Sequence, residues 1–152
     1  MKITSIAAAL VAGVMALAAG AAVAQSAADV IATRQAGYKG IAAATGDIKK
    51  ALDAGSDLTA VSARAQEIVD FARKIPTLFP AGTDNTGAVK TRALPAIWQN
   101  KKDFEDIAGT LAGEADKLMA ALKANNKAAA TTAFAATTSQ CGACHRTYRA
   151  PQ

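Results

Sequence analysis

Residues 127–149 read KAAATTAFAATTSQCGACHRTYR. The stretch is rich in Ala, the strongest helix former, and holds no proline. Phe134, Thr137, Cys141, Cys144 and Tyr148 recur at spacings of three and four, so a helix sets all five on one stripe. The reading is a helix over 127–149, closed by Pro151.

Three more helical patterns precede it. Over 27–52, Ile31, Arg34, Tyr38, Ile41, Thr45, Ile48 and Leu52 form one stripe, with an Arg and a Tyr among its inward residues. Ala54-Gly55-Ser56 ends that helix. Over 58–78, Leu58, Val61, Ala65, Ile68, Ala72 and Ile75 repeat the spacing and lead to Phe79. Asp57 is the expected N-cap, and Pro76 should kink or stop the helix. Residues 79–94 carry Pro80, Gly82, Asp84, Asn85 and Gly87 and read as the substantial loop of the chain. Pro95 suits the first turn of a third helix, which is expected to run to 123 with Phe104, Ile107, Leu111, Ala115, Leu118 and Leu122 inward. Ala124-Asn125-Asn126 then turns the chain into the fourth. Four helices with mostly short connections predict an all-α fold, an antiparallel four-helix bundle. The inward stripes are rich in Ala and light in large residues. Such a bundle has room for a prosthetic group, although Ala also permits close helix packing.

Residues 1–24 stand apart. Lys2 gives a positive start, an apolar run covers 6–23, and Ala22-Val23-Ala24 supplies a small-x-small end. This describes a secretory signal peptide cleaved after Ala24, leaving a four-helix domain over 25–152. A membrane anchor is the competing reading, but the run is Ala/Gly-rich and no basic stop-transfer cluster follows it. The product is expected in the periplasm, with no membrane insertion of the mature chain. The sequence carries 17 Lys and Arg against 12 Asp and Glu, a formal net charge of +5. These charges are scattered along helical faces, so no nucleic-acid partner is expected.

Two cysteines three positions apart would close almost no loop as a disulfide, and exported proteins use disulfides to close longer ones. Cys141-Gly142-Ala143-Cys144-His145 is C-x-x-C-H, the attachment pattern of a c-type haem. On a helix, Cys141, Cys144 and His145 point to a common side. The two thiols can add to the vinyl groups on one edge of a porphyrin, and His145 can then reach the iron. A zinc site needs about four ligands, and the chain has two Cys and one His. A thioredoxin-like dithiol sits in a βαβ setting, and no strands are evident. A local disulfide leaves His145 unexplained.

His145 is the single histidine of the chain. It is therefore the axial iron ligand, and the sixth position cannot be His. A bis-His carrier and a peroxidase with a distal His base are both excluded, and no enzymatic activity is expected. Met is the other common strong ligand of electron-transfer haems. Beyond the signal only Met119 remains, beside the inward Leu118, where Met commonly fills bundle gaps.

The attachment motif in the last of four helical patterns resembles the class II cytochromes c, most closely the cytochrome c′ family. Arg34-Gln35, Leu78-Phe79-Pro80, Ile97-Trp98 and Tyr148-Arg149 agree with it, so the resemblance covers essentially all of 25–152. It implies one covalent haem c per chain. In that family the residue four after the first-helix Arg faces the distal side of the haem, and low-spin members have Met there. Here it is Tyr38. The resemblance therefore implies five-coordinate iron with an open sixth site shielded by Tyr38, and a function in electron transfer and in binding NO or CO. Ordinary core packing explains the same placement of Tyr38. A phenol is neutral near pH 7, which argues against phenolate ligation. The alternative function is a low-spin, six-coordinate electron carrier. Arg34 and Gln35 resemble haem-propionate contacts, and an inward Arg suits an anionic partner. Thr91 and Arg92 match positions that line the haem, and Arg149 falls on the proximal side. The implied partners are the haem, NO or CO, a periplasmic redox partner, and a second copy of the chain in a homodimer. A modest positive charge steers acidic partners only weakly.

Overall fold

The computed structural model describes residues 26–151. The expected signal peptide lies outside them. Helix α1 spans Ala27–Ala54, α2 Ser62–Lys74, the single turn α3 Ala96–Gln99, α4 Lys101–Lys123 and α5 Lys127–Tyr148. The four long helices form the expected antiparallel bundle. No described helix is long and apolar enough to cross a membrane.

Local chemistry sets the boundaries. Ser26 caps α1 by accepting from Asp29 N, and Gly55, at φ 64°, ends it in the left-handed conformation open to glycine. Asn126 caps α5 by accepting from Ala129 N at 3.1 Å. Two predicted helices are less regular than their periodicity. Residues 58–78 hold a regular core, Ser62–Lys74, between 3-10 turns at Leu58–Val61 and Ile75–Leu78. Pro76 lies at the start of the second turn, where its missing N–H costs no helical bond. The third helix does not run unbroken over 95–123. Asn100 leaves the helical region at φ −124°, ψ 45°, and separates α3 from α4.

The inward stripes form one core. Ile31, Ile48, Leu58, Ala65, Ile68, Ala72, Phe104, Leu111, Leu118 and Leu122 are all buried. Helix α4 packs on both α2 and α5, α1 packs on α2, and α1 and α5 meet least. The space between α1 and α5 opens where α1 and α4 begin and α2 and α5 end. Residues 79–94 cross that end, tied by Asn85 N donating to Ala93 O at 2.9 Å. Past α5, Ala93 and Arg149 form an isolated antiparallel bridge.

Candidate functional site

A cavity of about 720 Å³ occupies the gap between α1 and α5. Arg34, Gln35, Tyr38, Thr91, Arg92, Cys141, Cys144, His145 and Arg149 all line it. The sequence reading thus named residues of three separate segments that the fold gathers around one space. Ile75, Phe79, Ile97, Phe104, Ile107 and Leu111 add apolar wall. Met119 is half-buried against the core and does not line the cavity. It sits eight residues beyond Leu111, about 12 Å further along α4 at the helical rise.

Cys141 and Cys144 are free and half-buried on the α5 wall. Burial raises both thiols, Cys144 to about 11, so both stay protonated at neutral pH. They also lie near the C-terminus of α5, where the helix dipole disfavours a thiolate. Low-pKa dithiols sit in the opposite setting, at helix N-termini or beside cations. His145 follows one residue on, half-buried, with Arg149 Nη1 3.3 Å from its Nε2. Burial, then the charges of Arg149 and Arg92, lower its pKa and leave a neutral imidazole with a lone pair to give. Among the described residues, no three His, Cys, Asp or Glu side chains converge as a conventional metal site requires. Two protonated thiols and a neutral imidazole on one wall, apolar sides, and arginines among the lining residues fit a covalent haem with its charged edge outward.

Tyr38 projects from the α1 wall. Burial, and secondarily the Cys144 thiol, push its phenol well above the usual range, so the group is neutral. Arg34, one turn earlier, is buried at 2% exposure. Its guanidinium donates to Thr83 Oγ1 at 2.9 Å, to Thr83 O, and to Thr91 Oγ1 at 2.7 Å. It also lies 4.5 Å from the Phe79 ring centroid, a cation–π contact. Arg34 therefore finds its partners in the 79–94 loop, which it pins to α1. Gln35 Nε2 donates to Lys90 O at 3.1 Å, and Arg92 donates from Nε and Nη2 to Ala150 O at 2.8 and 2.5 Å.

Sequence reasoning missed three contributors. Thr83 is 1% exposed and receives Arg34, yet a loop threonine 49 residues away gives no sequence signal. The Tyr148 hydroxyl donates to Asp103 Oδ2 at 2.6 Å and ties α5 to α4. Rings of Trp98, Phe79, Phe104 and Tyr148 meet in succession at 6.1, 4.8 and 5.3 Å between centroids. The first of these is locked by Trp98 Nε1 donating to Phe79 O.

Comparison with known proteins gives a consistent answer. Residues 29–149 match the family model described as Cytochrome C′. A cytochrome c′ of Rhodopseudomonas palustris is 35% identical over 144 residues, 93% of this chain and 94% of that protein. The crystal structure of cytochrome c′ from Thermochromatium tepidum superposes with a TM-score of 0.78 at 39% identity, covering 84% of this chain and 98% of the other. A cytochrome c′ with an unusual ligand-controlled dimer dissociation gives a TM-score of 0.78 at 35% identity, covering 84% and 99%.

Proposed function

The chain belongs to the cytochrome c′ family, whose members carry one covalent haem c, and we propose that it is a periplasmic haem protein with one protein ligand to iron and an open face for NO or CO. The observation that carries this reading is the cavity wall: one imidazole, that of His145, and no methionine line it. Cys141 and Cys144 would hold the group as thioethers, and His145 Nε2 would take the axial position. When bound, the haem supplies a one-electron centre with a coordination position left to an outside ligand.

The remaining steps belong to the chain. Tyr38, neutral and on the opposite wall, excludes bulky ligands and leaves access to diatomics. Arg34 holds the loop wall in place. The proposal that Arg34 and Gln35 reach a propionate now carries a condition: Arg34 already has three acceptors in the loop. Arg92 and Arg149 put positive charge around His145 and would favour the ferrous state less than a neutral rim stabilises the ferric one is disfavoured; both therefore tune the potential upward. Export rests on residues 1–24, with cleavage after Ala24. Homodimerisation draws support from the similar cytochrome c′ whose dimer is ligand-controlled.

The test is an absorption spectrum of the reduced holoprotein with and without CO or NO. The expected result is a broad high-spin Soret band that sharpens and shifts with gas. A sharp, split alpha band unmoved by CO would mean a filled sixth position and overturn the reading in favour of a pure electron carrier. A second variant, Met119→Leu, is expected to leave both spectra unchanged, since Met119 lies off the cavity.

A further inference from the structure

Phe71 stands behind Tyr38. Its ring, on α2, meets the Tyr38 ring edge to face, with centroids 5.0 Å apart and planes at 78°. Tyr38 lines the cavity and Phe71 does not. Among the described residues no hydrogen bond fixes the Tyr38 hydroxyl, so packing sets the orientation of the ring.

The seat of Phe71 is made by Gly37, the neighbour of Tyr38. A Cβ at position 37 would come within 1.8 Å of Phe71 Cε2 and 2.5 Å of its Cδ2 and Cζ. No side chain fits there with Phe71 in place. Glycine inside a helix weakens it, and its use here lets an aromatic ring lie against the bare backbone of α1. Phe71 is half-buried and packed on the core, so it is anchored on its far side as well.

We infer that Phe71, seated in the notch at Gly37, is the positioning residue that holds Tyr38 against the cavity and thereby sets how readily a diatomic ligand enters. The inference rests on the reading of Tyr38 as the shield. With the ring behind it shortened or displaced, Tyr38 gains room to swing away from the cavity. An edge-to-face pair shifts such an equilibrium by about two- to tenfold.

The test is CO association to the reduced holoprotein, measured by flash photolysis for Tyr38→Ala, Phe71→Leu, Gly37→Ala and the double variant of the first two. Tyr38→Ala is expected to speed association. Phe71→Leu and Gly37→Ala are each expected to speed it about two- to tenfold, and Phe71→Leu is expected to add less than about twofold once Tyr38 is Ala. If Phe71→Leu leaves the rate unchanged while Tyr38→Ala raises it, the positioning role is wrong and the shield stands. An undiminished Phe71→Leu effect in the Tyr38→Ala background also overturns it. If Tyr38→Ala changes nothing, the shield falls and this inference falls with it. Phe71→Leu keeps an apolar side chain, so the test does not depend on Gly37→Ala folding.

Discussion

At the scale of single residues, Arg34 shows how a charged group is kept inside a small bundle. Burial lowers its pKa, and its donors are met by two threonines and a carbonyl. Hydrogen bonds to charged groups contribute about 1.5–3 kcal/mol each, and an acceptor stranded in the interior loses part of that again. Arg34→Ala is expected to destabilise the holoprotein by about 2–4 kcal/mol, read from denaturant unfolding. Arg34→Lys should recover only a part, because one ammonium cannot reproduce the planar fork. A loss under about 0.5 kcal/mol, the range of an ordinary surface change, would show that the loop is held by other contacts. The Arg was legible in the sequence as an inward residue in need of a partner. Its actual partners were not, because Thr83 and Thr91 lie in a segment without periodicity.

At the scale of elements, α4 and α5 are joined by the Tyr148–Asp103 contact. Burial first, then the Asp103 carboxylate, raises the Tyr148 phenol to about 12. A group whose folded pKa exceeds its unfolded value of about 10 stabilises the fold fully below pH 10. That contribution is lost as pH rises from about 10 towards 12. Denaturation midpoints should therefore fall across this window, and Tyr148→Phe should flatten the fall while lowering stability at neutral pH. An unchanged slope in Tyr148→Phe would assign the alkaline transition to other groups. The helices themselves were readable, because their stripes are long and regular. The break at Asn100 was not: no glycine or proline marks it, and α3 turns off the axis of α4 as Trp98 reaches the carbonyls of Phe79 and Pro80.

At the scale of the whole molecule, the cavity dominates. Empty interior space costs about 24 cal/mol per Å³, so 720 Å³ kept dry would cost on the order of 17 kcal/mol. Domains are stable by about 5–15 kcal/mol. The bundle is therefore built around what fills it. A chain with Cys141→Ser, Cys144→Ser and His145→Ala is expected to keep helical far-UV dichroism but lose a cooperative melting transition and near-UV signal. A sharp two-state melt close to that of the holoprotein would show that the walls close on themselves. Light, Ala-rich stripes hinted at this space in the sequence, yet its position at one end of the bundle follows from the divergence of α1 and α5, which only the packed structure displays.

The short clasp beyond α5 has a consequence for the order of folding. Ala150 N donates to Arg92 O, Leu94 N to Tyr148 O, and the Arg92 side chain to Ala150 O across 58 residues of chain. Those residues contain all of α4 and α5. The clasp can therefore form only after the two helices have turned back on each other, since the loop it closes must first be shortened by their packing. Arg92→Ala should speed unfolding and leave refolding unchanged, as expected of a contact absent from the transition state. The cavity mouth is then the last part of the protein to assemble and the first to come apart.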